Sequence, residues 1–293
     1  YPSKILLWGE YAVVSNGEGL AMPLRRYTAQ WREQGSSGGE ERAAWAASQA
    51  GLQRLLAYVQ EREDLRARYD VQAWAADLAA GAWIRSDIPQ GYGVGSSGSV
   101  VAAVYERYAH EPQQHVDALQ RELAQLENCF HAASSGLDPL VIYAEKAVHL
   151  AQGAAQFVEN LPPACLRTYL IDTGASRSTA PLVAHYRQLA AQSTFQEQHL
   201  PQYLRLSAAC LRAWLAADAD EAWAQLRELS AWQYAHLQAM IPAAASALWR
   251  EGLQSQQFAL KLCGAGGGGF LLAFARPDAE HLPASMSAVV QIF

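Results

Sequence analysis

Pro89-Gln90-Gly91-Tyr92-Gly93-Val94-Gly95-Ser96-Ser97-Gly98-Ser99 leads straight into an apolar run, Val100 to Tyr108, and the chain is best read outward from it. The short apolar run Ala82-Trp83-Ile84 precedes it. Pro89 stops any helix, because the residue before a proline is pushed out of the helical region. Four glycines broken by serines then give a backbone free to take positive φ and to approach a ligand closely. The reading is strand, glycine loop, helix start. The first amides of such a helix have no internal partners and carry partial positive charge, so the stretch forms an anion site, most often for phosphate. It lacks the Gly-Lys-Ser/Thr of a P-loop. Gly93, Gly95 and Gly98 fit a dinucleotide fingerprint, but without the first-strand context and the acidic residue about 20 positions on. Taken alone, the loop also reads as a surface turn with a capping serine.

Composition bounds the rest. The chain has 293 residues, enough for one large or two modest domains, and 51% hydrophobic content is ample for a core. A net charge of -6 argues against a nucleic-acid-binding surface. Lysine occurs only at 4, 146 and 261, so a lysine inside a motif stands out. Cys129, Cys165, Cys210 and Cys263 have neither metal-ligand spacing nor a disulfide framework, as expected of reduced thiols in a cytoplasmic protein. No apolar run has the length of a membrane span and no signal peptide is visible. The chain opens at Tyr1 rather than methionine, so a few preceding residues are expected.

In order along the chain, residues 4–14 read as a strand pair bent at Gly9, followed by a turn at Asn16-Gly17. Residues 21–31 read as a strand, 34–41 as a loop, and 43–69 as a helix with Leu52, Leu55, Leu56 and Val59 on one face. Residues 71–75 and 82–84 read as strands, and 97–108 and 115–130 as helices. Asp138-Pro139 reads as a cap and first helical residue. Strands are expected at 147–150, 155–158, 167–172, 258–262, 269–274 and 288–293, with about three helices over 178–249. Trp214, Trp223 and Trp232 read as helix packing. Irregular alternation with helices clustered late favours an α+β protein over a doubly wound sheet. A boundary is expected near Leu161-Pro162-Pro163.

Three segments together resemble the motifs of the GHMP small-molecule kinases. Pro2-Ser3-Lys4-Ile5-Leu6-Leu7-Trp8-Gly9-Glu10-Tyr11-Ala12-Val13-Val14 is similar to the N-terminal motif, Pro89 to Ser97 to the phosphate loop, and Lys261-Leu262-Cys263-Gly264-Ala265-Gly266-Gly267-Gly268-Gly269 to the C-terminal glycine motif. The resemblance implies an N-terminal domain (1–163) like domain 2 of ribosomal protein S5 and a ferredoxin-like C-terminal domain (164–293). Within the family the mevalonate kinase branch is most similar: Glu127, His131 and Ser135-Gly136-Leu137-Asp138 fall in its acidic pattern, and Asp172 to Thr179 looks like its substrate segment. Tyr11 stands where that branch has histidine, and Glu10-Tyr11 with Ser97-Gly98 looks more like phosphomevalonate kinase.

The implied activity is ATP-dependent transfer of a phosphoryl group to a hydroxyl of a small anionic alcohol, mevalonate first. The alternatives are phosphomevalonate, a sugar or heptose acceptor, or a silent nucleotide-binding member. Such transfer needs cradled phosphates, a divalent cation and an oriented hydroxyl. Pro89, Gly91, Gly93, Gly95, Ser96, Ser97 and Gly98 are expected to hold ATP. Ser97 and Glu127 are expected on Mg²⁺, which takes few hard oxygen ligands from protein. Asp138 and Lys4 are expected to be catalytic. Glu10, Tyr11, Arg177 and Thr179 are expected on the substrate. Without the resemblance, Glu127 reads as a solvated helix residue, Asp138 as a cap, Lys4 as a surface charge, Arg177 as a salt-bridge partner and His131 as a structural histidine. No nucleic-acid or membrane partner is expected, and a homodimer stays open.

Overall fold

The computed structural model of the chain describes residues 1–33, 38–131, 133–279 and 290–292. Contacts group them into two compact units. The first holds Tyr1–Lys4, Met22–Pro89 and Val94–Lys146; the second holds Ile5–Ala21, Gln90–Gly93 and Ala147–Phe293. The domain boundary expected near 163 falls inside the second unit's longest segment. Strand β1 (Pro2–Trp8) and strand β2 (Gly19–Arg32) run through both units.

In the first unit, the far end of β2 pairs antiparallel with β3 (Trp83–Ser86), Ala29 opposite Ser86. Helix α1 (Gly39–Gln60) lays Leu52, Leu55, Leu56 and Val59 into the core, the face its spacing predicts. The helix expected to run on to 69 breaks after Gln60 and resumes as the single turn α2 (Glu63–Arg66). Its first residues take part of the stretch expected as a loop; residues 34–37 lie outside the described residues. The strand expected at 71–75 is instead helix α3 (Val71–Ala79). The Asp70 carboxylate accepts from Ala73 N at 2.9 Å, capping the helix, while Trp74 and Leu78, four apart, share its buried face. Helices α4 (Ser96–Tyr108), α5 (Val116–Glu127) and α6 (Leu137–Ala144) pack on one another and carry the chemistry described below.

In the second unit, the start of β2 pairs with β4 (Ala147–Ala151), which forms a hairpin with β5 (Ala154–Val158). The second half of the expected 4–14 strand pair is not a strand. Gly9 sits at φ +101° and Tyr11 at +59°, which turns the chain into a short 3-10 segment, Val13–Ser15. A four-stranded antiparallel sheet follows, in the order β7 (Phe258–Leu262), β8 (Phe270–Ala275), β6 (Arg167–Asp172), β9 (Val290–Gln291). Numbered along the chain that is 2-3-1-4, the strand order of a ferredoxin-like sheet. Of the strand expected at 288–293, residues 288, 289 and 293 lie outside the described residues. Between β6 and β7 the expected three helices are four: α7 (Thr179–Ala190), α8 (Leu200–Leu215), α9 (Ala219–His236) and α10 (Ser246–Ser255). The core is aromatic. Trp8 stacks on Phe274 at 5.2 Å with Trp214 edge-on at 5.8 Å, and Tyr203 stacks on Trp232 at 4.4 Å. Trp214, Trp223 and Trp232 are all buried, as read from the sequence.

Candidate active site

Three constraints in the first unit converge on the N-terminus of α4. Gly95 precedes the helix at φ +84°, and a Cβ there would lie 2.9 Å from both Ile142 Cδ1 and Lys4 Cγ. Only glycine lets the backbone turn and the lysine stem share that space. The backbone amide of Lys4 donates to Val94 O at 3.0 Å, tying β1 to the loop. At Gly98 a Cβ would meet Pro139 N at 2.9 Å and Asp138 Cβ at 3.0 Å, so the missing side chain lets α6 start beside the first turn of α4.

Asp138 is therefore held next to the helix N-terminus that Ser96 and Ser97 open. Its role as the cap is corrected: α6 begins at Leu137, with Gly136 as the capping residue at φ +69°. The serines before it hold the turn that enters the helix. Ser134 Oγ accepts from Gly136 N at 2.9 Å and Ser135 Oγ from Leu137 N at 3.3 Å. That leaves the Asp138 carboxylate to Lys4, whose Nζ lies 2.9 Å from Oδ1. Lys4 is nearly buried and Asp138 is 30% exposed, so the pair has a fixed cation and an open anion.

Glu127, the last residue of α5, is 4% exposed. Ser97 Oγ donates to its Oε1 at 3.0 Å, and Ser134 Oγ donates to its Oε2. His131 Nε2 lies 2.9 Å from the same Ser97 Oγ. Burial, and next the charge of Asp138, push the Glu127 carboxyl up to about 7; the two serine hydroxyls and Lys4 oppose that shift only in part. Among the described residues no three His, Cys, Asp or Glu side chains form a metal cluster. The donor set is one carboxylate and one hydroxyl, both hard oxygens, at a phosphate-type helix N-terminus. Those residues fit a Mg²⁺ that takes its other ligands from phosphate and water. Ser134 was missed in the sequence because Ser134-Ser135 before a glycine reads as a turn.

The other expected site residues fall in the second unit. Glu10 is 1% exposed and its carboxylate pairs with Lys261, which is fully buried. Tyr11 donates its hydroxyl to Ala265 O at 2.6 Å. Arg177 N donates to Gly91 O at 3.1 Å; its Nη2 is so close to Gly93 that a Cβ there would come within 2.4 Å of it, and one on Gly264 within 3.1 Å. Thr179 Oγ1 accepts from Arg177 Nη1 at 2.5 Å, which orients the guanidinium. Gly269 abuts the Tyr92 backbone, where a Cβ would lie 2.7 Å from Tyr92 Cα. The expected set thus divides. Lys4, Gly95 to Gly98, Glu127 and Asp138 form one cluster, whereas Glu10, Tyr11, Gly91, Gly93, Arg177 and Thr179 surround the 264–269 glycine run.

Residues 54–146, which carry the loop, α4, α5 and α6, match the GHMP kinases N terminal domain. That segment of the chain is similar to the family's N-terminal domain. The mevalonate kinase of Thermococcus onnurineus (strain NA1) is 27% identical over 210 residues, 64% of this chain and 60% of that protein. The chain therefore spans about 60% of the length of that curated relative. Among solved structures, L. major mevalonate kinase in complex with R-mevalonate superposes with a TM-score of 0.66 at 16% identity, over 99% of this chain and 93% of that one. Methanococcus jannaschii mevalonate kinase gives 0.64 at 15%, over 95% and 90%. Streptococcus pneumoniae phosphomevalonate kinase gives 0.61 at 16%, over 100% and 96%. At these identities the structures establish the GHMP kinase fold. Among the described residues no helix is long and apolar enough to cross a membrane.

Proposed function

We propose that the chain is an ATP-dependent kinase that phosphorylates a hydroxyl of a small anionic alcohol, mevalonate first. The observation that carries the reading is the Lys4–Asp138 pair, 2.9 Å apart beside the N-terminus of α4. Phosphoryl transfer asks a protein for position and charge more than for covalent chemistry. The glycine loop and the first amides of α4 would hold the nucleotide phosphates. Asp138, half-open and anchored by Lys4, would orient the acceptor hydroxyl and take its proton on a carboxylate oxygen as the hydroxyl oxygen bonds to the γ-phosphorus. The bond from that phosphorus to the β–γ bridging oxygen breaks, and ADP leaves. Lys4 would hold the acceptor oxygen and offset the negative charge that grows there. Ser97 and Glu127 would hold Mg²⁺, which when bound supplies charge neutralisation across the phosphates. Arg177, whose guanidinium lies at Gly93, would turn its planar fork to phosphate oxygens.

Mevalonate as acceptor rests on the similarity to the Thermococcus onnurineus kinase and on the segment 172–179. The test is ADP release over mevalonate, phosphomevalonate, homoserine, galactose and a heptose phosphate. Turnover that is highest with mevalonate supports the full reading. A best acceptor among the others moves the substrate within the family. No ADP release with any acceptor, despite measurable ATP binding, refutes the kinase reading in favour of a nucleotide-binding protein.

A further inference from the structure

Glu10 and Tyr11 are expected at a substrate, yet their side chains lead elsewhere. The Glu10 carboxylate meets Lys261 Nζ, 251 positions away in sequence, and both groups are buried. Lys261 also donates to Leu262 O at 2.9 Å and lies 5.3 Å from the centroid of the Trp8 ring. Tyr203 donates its hydroxyl to the Glu10 backbone oxygen, and Gln233 Oε1 accepts from Leu262 N at 2.9 Å. One residue on, the Tyr11 hydroxyl donates to Ala265 O while its ring stacks on Tyr186 at 4.4 Å. Tyr11 holds a φ of +59°, which an L side chain adopts only when its surroundings fix it.

A buried ion pair is a poor source of stability, because desolvating both charges offsets their attraction; its best-attested use is to fix register. Here the pair meets the last strand residues before the glycine run, and Tyr11 meets the second residue of that run. The run in turn reaches the phosphate loop. Gly269 packs on the Tyr92 backbone, its N–H donates to Ala175 O at 2.6 Å, and the Phe270 ring lies 5.0 Å from that of Tyr92.

We infer that Glu10 and Tyr11 are positioning residues rather than substrate contacts: they latch the 261–269 segment at two points and so set the backbone at Tyr92 and Gly93 for nucleotide phosphates. The inference rests on the kinase reading only for the identity of the ligand. Tyr11→Phe in the full chain removes one hydrogen bond and keeps the stacking on Tyr186. It is expected to raise the KM for MgATP about fivefold, the effect of one ordinary hydrogen bond, and to leave the acceptor KM within about twofold. It is also expected to speed amide hydrogen exchange in peptides covering 263–269 and 90–93. The double variant Glu10→Gln with Lys261→Met replaces the pair by neutral groups of similar shape, and is expected to fold cooperatively with the same pattern.

A raised acceptor KM with unchanged MgATP KM and unchanged exchange overturns the latch and returns both residues to the substrate. A Tyr11→Phe protein identical to wild type in all three measurements also overturns the latch. If the wild-type chain turns over no acceptor, the kinase reading fails separately. The latch is then judged by the Kd of a fluorescent ATP analogue and by the exchange data, and by exchange alone if no nucleotide binds.

Discussion

Glu127→Gln is expected to make the protein more stable and less useful at the same time. The carboxyl is pushed from its ordinary 4.5 up to about 7, first by burial and then by Asp138. A raised carboxyl pKa means that the folded state keeps a proton the unfolded chain has lost, so stability falls as pH rises between those two values. The difference, taken at about 1.4 kcal/mol per pH unit, gives a penalty of about 3 kcal/mol at pH 8 that is absent near pH 4. Glutamine keeps the oxygen that accepts from Ser97 and carries no charge to desolvate. Urea unfolding without Mg²⁺ should therefore show the variant more stable than wild type near pH 8, by up to about 3 kcal/mol, with the gap closing towards pH 4. In the same experiment MgATP should stabilise wild type far more than the variant, because the ion loses its one charged protein ligand. Turnover should fall by roughly a hundredfold, the scale of losing one preorganised electrostatic partner, with a higher Mg²⁺ requirement. A variant less stable than wild type at pH 8 would refute the electrostatic reasoning. A Mg²⁺ titration that superimposes on wild type would remove Glu127 from the metal site.

Asp138→Asn should bind MgATP normally, melt within a few degrees of wild type, and lose roughly a hundredfold or more in kcat, measured by ADP release; wild-type turnover would end its role as proton acceptor. Gly95→Ala should cost about 1–3 kcal/mol, since alanine at φ +84° would also strike Ile142 and the Lys4 stem, and MgATP affinity measured by calorimetry should fall with it. Arg177→Lys should raise the MgATP KM by about tenfold, because lysine lacks the planar fork lying against Gly93. The reverse split, with the acceptor KM raised instead, would assign Arg177 to the acceptor.

Glycine positions were readable in the sequence because their requirement is local. Gly95 and Gly269 are fixed by backbone turns and close approaches that no other residue satisfies, and both stand in stretches already dense in glycine. The amphipathic face of α1 was readable for a similar reason: period and burial coincide. The segment 71–75 reads as a strand because a five-residue apolar stretch carries too little period, whereas the Asp70 cap makes it a helix start. The side-chain partnerships of the site were a different problem. Ser97 meets Glu127 across 30 residues only because α4, α5 and α6 pack together, and Lys261 meets Glu10 across 251.

Those two glutamates show what sequence alone leaves open. Both sit in motifs, both are buried, and both looked like ligands for something outside the chain. Glu10 has a lysine of its own in direct contact, so its charge is answered within the fold and the residue serves architecture. Burial pushes both carboxyls up, and the two differ in their partners: Glu127 has two serine hydroxyls, while the nearby lysine pairs with Asp138. On the proposed function, a Mg²⁺ brought from solution would answer that charge. A lysine beside Glu127 would take the place of the proposed ion: Ser97→Lys should fold, hold Glu127 ionised near pH 5, and lose the stabilisation that MgATP gives the wild type. A Ser97→Lys protein still stabilised by MgATP to the wild-type extent would show that the ion is held elsewhere.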